Sequence, residues 1–191
     1  MSDVMIRTVT VYAGSAPDAS VPLKDLAGEL GAGIAARGWI LVYGGATIGL
    51  MGAVADAALA RGGRVEGVIL DTFARVAHHG LHELATVTDM RSRKAGLAHR
   101  GDAFVALPGG FGTLEELLEQ LTGRLLGFHD KPIVLADTDG FWDPLLELFE
   151  HLYRERFARP ESRDAYAVAH DASGVMALLD APPRPLPGKW L

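Results

Sequence analysis

Two carboxylates, Glu115 and Glu116, stand just beyond a loop that places three glycines in four positions, Gly109-Gly110-Phe111-Gly112. Pro108 opens that loop and Thr113 closes it, and Arg91, Arg93 and Lys94 form a basic cluster upstream. Glycines between a strand and a helix let backbone N–H groups converge on an anion, and the helix N-terminus adds positive potential. A carboxylate beside such a cradle repels the anion it sits near. A phosphorylated sugar resolves the conflict, because its phosphate and its reacting carbon are separate atoms with opposite electrostatic needs. The loop 108–113 therefore reads as a phosphate cradle.

Plainer readings stand beside this one. Thr113 with Glu116 three residues on forms a T-x-x-E capping box, which ties down a helix end for about 1 kcal/mol. Near a helix N-terminus both carboxylates are expected to stay ionised. That state suits stabilising positive charge or activating water, and suits donating a proton poorly. Arg93 and Lys94 are either solvated surface charge or a phosphate clamp, with bidentate arginine and lysine as a point charge. A second glycine loop, 44–52, follows a strand and opens a helix. It allows close backbone approach to a ligand, or it is a tight turn. It is not a G-x-G-x-x-G dinucleotide fingerprint, and Glu66 falls inside the next strand rather than at its end. His78, His79 and His82 lack a helical pattern that would gather them, so they read as loop histidines rather than a metal site. Gly14-Ser15 reads as a turn, with no G-x-S-x-G elbow in the chain.

These residues need a scaffold, and the apolar patterning supplies one. Strands are predicted at 8–13, 39–43, 64–70, 84–88, 103–107, 132–136 and 166–169. Helices are predicted at 24–37, 49–61, 91–100, 113–126, 141–156 and 172–179, with 71–83 irregular. Continuous apolar strands alternating with helices give an α/β, Rossmann-like three-layer fold, a parallel sheet covered by helices on both faces. Ligands in such sheets bind outside the carboxyl ends of the strands, where both glycine loops fall.

At 191 residues the chain reads as a single domain over 1–181 with a proline-rich tail over 182–191 that docks or frays. A net charge of −6 argues against nucleic acid as a partner. No cysteine is present, which fits a reducing cytoplasm and removes thiolate chemistry. No signal peptide and no membrane-spanning run are expected.

On these motifs the chain resembles the Lonely Guy (LOG) family, whose members are often labelled lysine decarboxylases. PGGFGTLEE at 108–116 matches the family's PGGxGTxxE signature, and YGGATIGLMG at 43–52 matches its YGGGxxGLMG loop. MRSRK at 90–94 matches M-x-x-R-K, and GFHDKP at 127–132 resembles G-x-H-x-K-P. The likeness spans nearly the whole chain. It departs at Ala46, where the family has a third glycine, and at Ala13-Gly14-Ser15-Ala16, where it has C-G-S-S. Thr122-Gly123-Arg124-Leu125-Leu126-Gly127 stands where it has T-W-A-Q-L-G, so the Trp and Gln are missing. The losses after Thr122 bear on base preference and leave the phosphate and carboxylate elements untouched.

The resemblance implies a Rossmann-like homodimer, or a larger assembly, with sites near the subunit interface. It implies hydrolysis of the N-glycosidic bond of cytokinin riboside 5′-monophosphates, and in many bacterial members of AMP, to free base and ribose 5-phosphate. By motif position Arg93 and Glu116 become the catalytic pair. Lys94, Gly109, Gly110, Phe111, Gly112, Thr113, Glu115 and Thr122 become substrate contacts, and Gly44, Gly45 and Gly49 shape the nucleotide pocket. No cofactor and no metal are implied. Two other classes compete: a non-catalytic carrier of a nucleotide or molybdenum cofactor, and a pyridoxal-phosphate decarboxylase. The second needs a Schiff-base lysine. Lys94 is the only lysine at an expected site and is better explained as a phosphate partner.

Overall fold

The computed structural model describes residues 6–186. Residues 187–191 of the expected tail, and the first five residues read for a signal peptide, lie outside the described part. Among the described residues no helix is long and apolar enough to cross a membrane.

Seven strands form one sheet: β1 (Thr8–Tyr12), β2 (Ile40–Tyr43), β3 (Val65–Leu70), β4 (Glu83–Val87), β5 (Ala103–Ala106), β6 (Ile133–Ala136) and β7 (Ala167–Ala169). Their order is β4-β3-β2-β1-β5-β6-β7, and every neighbouring pair is parallel. The helices are α1 (Val21–Ala36), α2 (Gly49–Ala60), α3 (Met90–Arg100), α4 (Phe111–Leu125), α5 (Asp143–Arg154) and α6 (Ala172–Asp180). The α/β fold expected from the patterning is what the chain adopts, and most element ends fall within two residues of those predicted.

Side chains alternate across the sheet because strand residues point to opposite faces. Val9, Val11, Leu41, Tyr43 and Val105 join α1, α2 and α6 in one apolar layer. Tyr12, Val42, Val68 and Phe104 face the other way, onto residues of α3, α4 and α5. Burial on both faces explains why the strands read as continuous apolar runs.

The chain builds outward from β1 to β4, then returns to lay β5 on the other side of β1. The strand order reverses there, and crevices open at such a reversal at the carboxyl ends. Gly14, just past β1, joins the loops on either side: its N–H donates to Pro108 O at 3.0 Å and its carbonyl accepts from Leu50 N at 3.0 Å.

The stretch 71–83 is more ordered than expected. A 3-10 turn spans Asp71–Val76. The residues after it clamp the first glycine loop: Thr47 N donates to Val76 O at 3.0 Å and His78 N to Gly45 O at 2.9 Å. At the other end of the chain, the described part of the tail docks. Arg184 O accepts from Arg124 Nη2 at 2.8 Å, and Leu186 packs on the second apolar layer.

Candidate active site

Helix α3 starts cleanly. Asp89 is its N-cap, accepting from Ser92 N at 2.9 Å and from Ser92 Oγ at 2.7 Å. The helix buries only Leu97 deeply, and Thr10 Oγ1 on β1 donates to Leu97 O at 2.9 Å. A polar helix held this way presents Arg93 and Lys94 toward its neighbour α4.

Helix α4 begins two residues earlier than expected. Gly110 is its N-cap, without a side-chain cap, and Phe111 is its first residue. Thr113 is therefore inside the first turn and Glu116 in the second, so the capping box expected from T-x-x-E does not form. The glycines at 109 and 110 let the chain turn straight into the helix, ahead of the threonine. Leu114 N is bonded to Gly110 O at 3.0 Å, so the amides of Phe111, Gly112 and Thr113 are those that a helix start leaves without an intrahelical acceptor. They form the mouth of the expected anion cradle.

One stripe of α4 is buried and polar: Thr113, Glu116, Gln120 and Arg124. Polar side chains in a buried stripe need partners or a function. Glu116 has Arg93, whose Nη1 donates to Glu116 Oε1 at 2.7 Å, with the two side chains 14% and 9% exposed. Next to it Lys94 Nζ lies 2.7 Å from Glu115 Oε1 and 3.5 Å from Glu119 Oε1. Two parallel ion pairs thus join α3 to α4, the inner one nearly dry and the outer one wet on its acidic side.

The first glycine loop completes the enclosure. A β-carbon at Gly44 would lie 2.6 Å from Arg93 Nη2, so the missing side chain is what lets the guanidinium reach Glu116. Gly49 has φ +60, and a β-carbon there would stand 2.6 Å from the Ser15 carbonyl carbon. Arg93 therefore sits between loop 44–52 and α4, and the sequence-predicted residues Arg93, Lys94, Glu115, Glu116, Gly44 and the 109–113 loop converge.

The electrostatics differ from expectation at one point. Burial pushes the Glu116 carboxyl above its ordinary range, and the Glu115 charge pushes the same way, while Arg93 and Lys94 pull it down. Being in the second turn, Glu116 is past the helix start that was to keep it charged, so Arg93 is its main counterweight. Tyr12, at the end of β1, is buried beneath; burial and the charge of Glu116 hold its phenol neutral, well above the usual range.

Other expected residues lie elsewhere. Thr122 is exposed and lines a groove between α4 and α5 with Leu118, Leu121, Leu125 and Phe149, on a different face of the helix from Glu116. His78 Nδ1 accepts from Gly80 N at 3.0 Å and Nε2 pairs with Asp56 at 2.9 Å, which makes it a loop brace. His82 Nδ1 accepts from Val65 N at 3.2 Å. Glu66 pairs with Arg64 and Arg100 at the opposite end of the strands. Sequence reasoning missed Glu119 and Tyr12. Glu119 lies one turn past Glu115, a spacing that marks it as a neighbour of any lysine reaching Glu115.

Known proteins resemble the chain over most of its length. A family model described as "Possible lysine decarboxylase" matches residues 51–179. A protein of Rhodococcoides fascians named cytokinin riboside 5′-monophosphate phosphoribohydrolase is 46% identical over 179 residues, covering 92% of this chain and 90% of that one. An Arabidopsis thaliana protein named as the same activity is 40% identical over 176 residues, covering 91% and 83%. Among solved structures, a molybdenum cofactor binding protein from Rippkaea orientalis is similar with a TM-score of 0.73, at 22% identity over 92% of this chain and 96% of that one. A molybdenum cofactor carrier protein from Chlamydomonas reinhardtii follows at 0.71 and 24%, covering 93% and 100%. At such identities these two show the fold alone.

Proposed function

The chain belongs to the Lonely Guy family, and from that premise we infer that it is a nucleoside 5′-monophosphate phosphoribohydrolase. It cleaves the N-glycosidic bond of an adenine-type nucleotide, a cytokinin riboside 5′-monophosphate or AMP, to free base and ribose 5-phosphate. The observation that carries this reading is the Arg93–Glu116 pair, 2.7 Å apart and nearly buried, beside an uncapped helix start.

N-glycoside hydrolysis passes through an oxocarbenium-like ribose, as in glycosidases. The amides of 111–113 and Lys94 hold the 5′-phosphate, and Gly109, Gly110 and Gly112 keep that approach open. Binding there fixes the sugar relative to Glu116. Glu116, kept ionised by Arg93, stabilises the developing positive charge at the anomeric carbon and takes a proton from the attacking water. The water oxygen bonds to that carbon, the base leaves with the electron pair of the broken bond and takes up a proton from solvent, and Glu116 returns its proton to solvent. Glu115 holds ribose hydroxyls, and Gly44, Gly45 and Gly49 shape the wall beside the base. No metal and no cofactor enter this scheme.

We take residues 1–181 as the domain that carries the activity and propose a homodimer, acting in the cytoplasm. Exposed apolar side chains support the dimer: Phe111 is 92% exposed at the mouth of the cradle, and Leu118 on α4, Leu126 just past it and Leu148 on α5 are each about half exposed. Thr122 lies on that same side, so we assign it to substrate contact within the dimer.

Chromatography of products after incubation with AMP and with isopentenyladenosine 5′-monophosphate tests the reading, with the matching nucleosides as controls. Free base from the nucleotides but not the nucleosides is expected. No base from either nucleotide overturns it and favours a carrier that retains its ligand.

A further inference from the structure

The segment between α4 and β6 holds both catalytic helices at once. His129 Nδ1 accepts from Lys131 N at 3.2 Å, so the ring proton is on Nε2, which donates to Gln120 O at 3.1 Å. Lys131 Nζ donates to Ala98 O at 2.9 Å. Gln120 lies one turn after Glu116 on α4, and Ala98 lies one turn after Lys94 on α3. Two side chains separated by a single residue thus grip the two helices at matching depths.

Both grips rest on one ring. Phe104 of β5 meets the His129 ring edge-on at 5.5 Å and has Lys131 Nζ 5.3 Å from its centroid. The same ring stacks on Tyr12 at 5.9 Å and 11°. Tyr12 in turn lies near enough to Glu116 to feel its charge. An ordered column therefore runs from Lys131 and His129 through Phe104 to Tyr12, whose phenol feels the Glu116 charge.

This grip opposes the ordinary behaviour of its residues. Lysine normally keeps its ammonium in water. Here burial holds the Lys131 ammonium below the ordinary lysine range and the His129 imidazole below the histidine range. An apolar pair would fill the space without that desolvation. What an apolar pair lacks is directed donors for two helix carbonyls.

The geometry points to His129 and Lys131 as positioning residues: together they lock α3 to α4 and so set the approach of Arg93 to Glu116. The inference rests on the glycosidase reading for its kinetic consequence and on the geometry alone for its structural one. Arg93 and Lys94 act on Glu116 from α3 and Glu115 from its own helix, while Tyr12 on β1 feels both Glu116 and Glu119. Of these, only Arg93 and Lys94 move with α3.

Lys131→Met frees α3 and His129→Phe frees α4, each keeping side-chain bulk, while Lys131→Arg keeps a donor. Two quantities are read on each variant and the parent protein: kcat and KM for AMP, and the Glu116 carboxyl titration followed by carbon-13 NMR without substrate. The expected result is a kcat about 10- to 100-fold lower in the first two variants, as a misplacement near 1 Å gives. KM stays within about threefold, the pattern of a lost transition-state interaction. The Glu116 titration moves to higher pH as Arg93 withdraws, and Lys131→Arg restores most of both readings. Should Lys131→Met fail to fold, His129→Phe carries the same two readings. Variants that melt earlier but keep kcat and the Glu116 titration would overturn the proposal and leave the segment a simple staple. If the parent protein releases no base from any nucleotide, the glycosidase reading falls, while the titration still decides whether the segment sets Arg93 on Glu116.

Discussion

Arg93 and Glu116 meet at 2.7 Å from two different helices, both largely out of water. Removing Arg93 leaves the Glu116 carboxylate buried and uncompensated, whereas a glutamine at 116 keeps an acceptor for the guanidinium. Their contact also joins elements laid down at separate stages of the chain, since α3 precedes β5 and α4 follows it.

Glu116→Gln is expected to lower kcat by about 10²- to 10⁴-fold, the usual contribution of a positioned general base. Its stability should not fall with it. A carboxyl held above its ordinary range in the folded chain favours the protonated form. The folded state is then at its best below the unfolded carboxyl value and loses part of that advantage as pH rises through the folded one. Glutamine mimics the protonated form, so the variant should melt at the same temperature or higher at neutral pH. A lower melting temperature by calorimetry would show that Glu116 holds the fold rather than destabilising it.

The pH profile follows from the same balance. The reaction needs ionised Glu116, and burial raises its carboxyl. The acidic limb of kcat/KM should therefore lie above the ordinary glutamate range, with activity falling as pH drops through it. Arg93→Met removes the main opposing charge and should move that limb further toward neutral pH while lowering kcat. A limb that stays put on removing Arg93 would refute the assignment of Arg93 as counterweight.

Lys94 should matter for binding more than for chemistry. Lys94→Met is expected to raise KM for the nucleotide by about tenfold or more, since a charge-assisted contact contributes about 1.5–3 kcal/mol. Turnover of a nucleoside, already poor, should not change. Equal losses on nucleotide and nucleoside would show that Lys94 does not read the phosphate.

Two glycine substitutions separate protein packing from ligand contact. A β-carbon at Gly44 would collide with Arg93, so Gly44→Ala should depress kcat. A β-carbon at Gly110 meets nothing within 4 Å in the protein, so Gly110→Ala should fold and melt as the parent does. If phosphate lies on the 109–113 amides, that same methyl raises KM. An unchanged KM by initial-rate kinetics would move the phosphate elsewhere.

Much of this was legible in the residue pattern. Apolar strands such as Trp39 to Tyr43 carry their own signal because both sheet faces are covered. The glycine loops and the Arg93, Lys94, Glu115 and Glu116 set could be named because each motif is local. The start of α4 was misread because Gly110, Phe111 and Gly112 are poor helix formers, whereas Thr113 and Glu116 imitate a cap. Tertiary contact with β1 and α3 overrides that local preference. The 127–132 motif named His129 and Lys131 but not what they hold, and the reach of Lys131 to Ala98, like the place of Gly14 between two loops, depends on elements distant in the chain.

Strand β1 pairs Val9 with Leu41 on one side and with Ala103 on the other. During synthesis the first partner arrives early and the second much later. Until β5 emerges, the central strand carries a bare apolar edge, the kind of template that recruits another copy. Closing that edge and bringing Glu116 under Arg93 require the same event, insertion of β5. A chain stalled after α3 therefore carries the arginine without its carboxylate, with an open strand beside it.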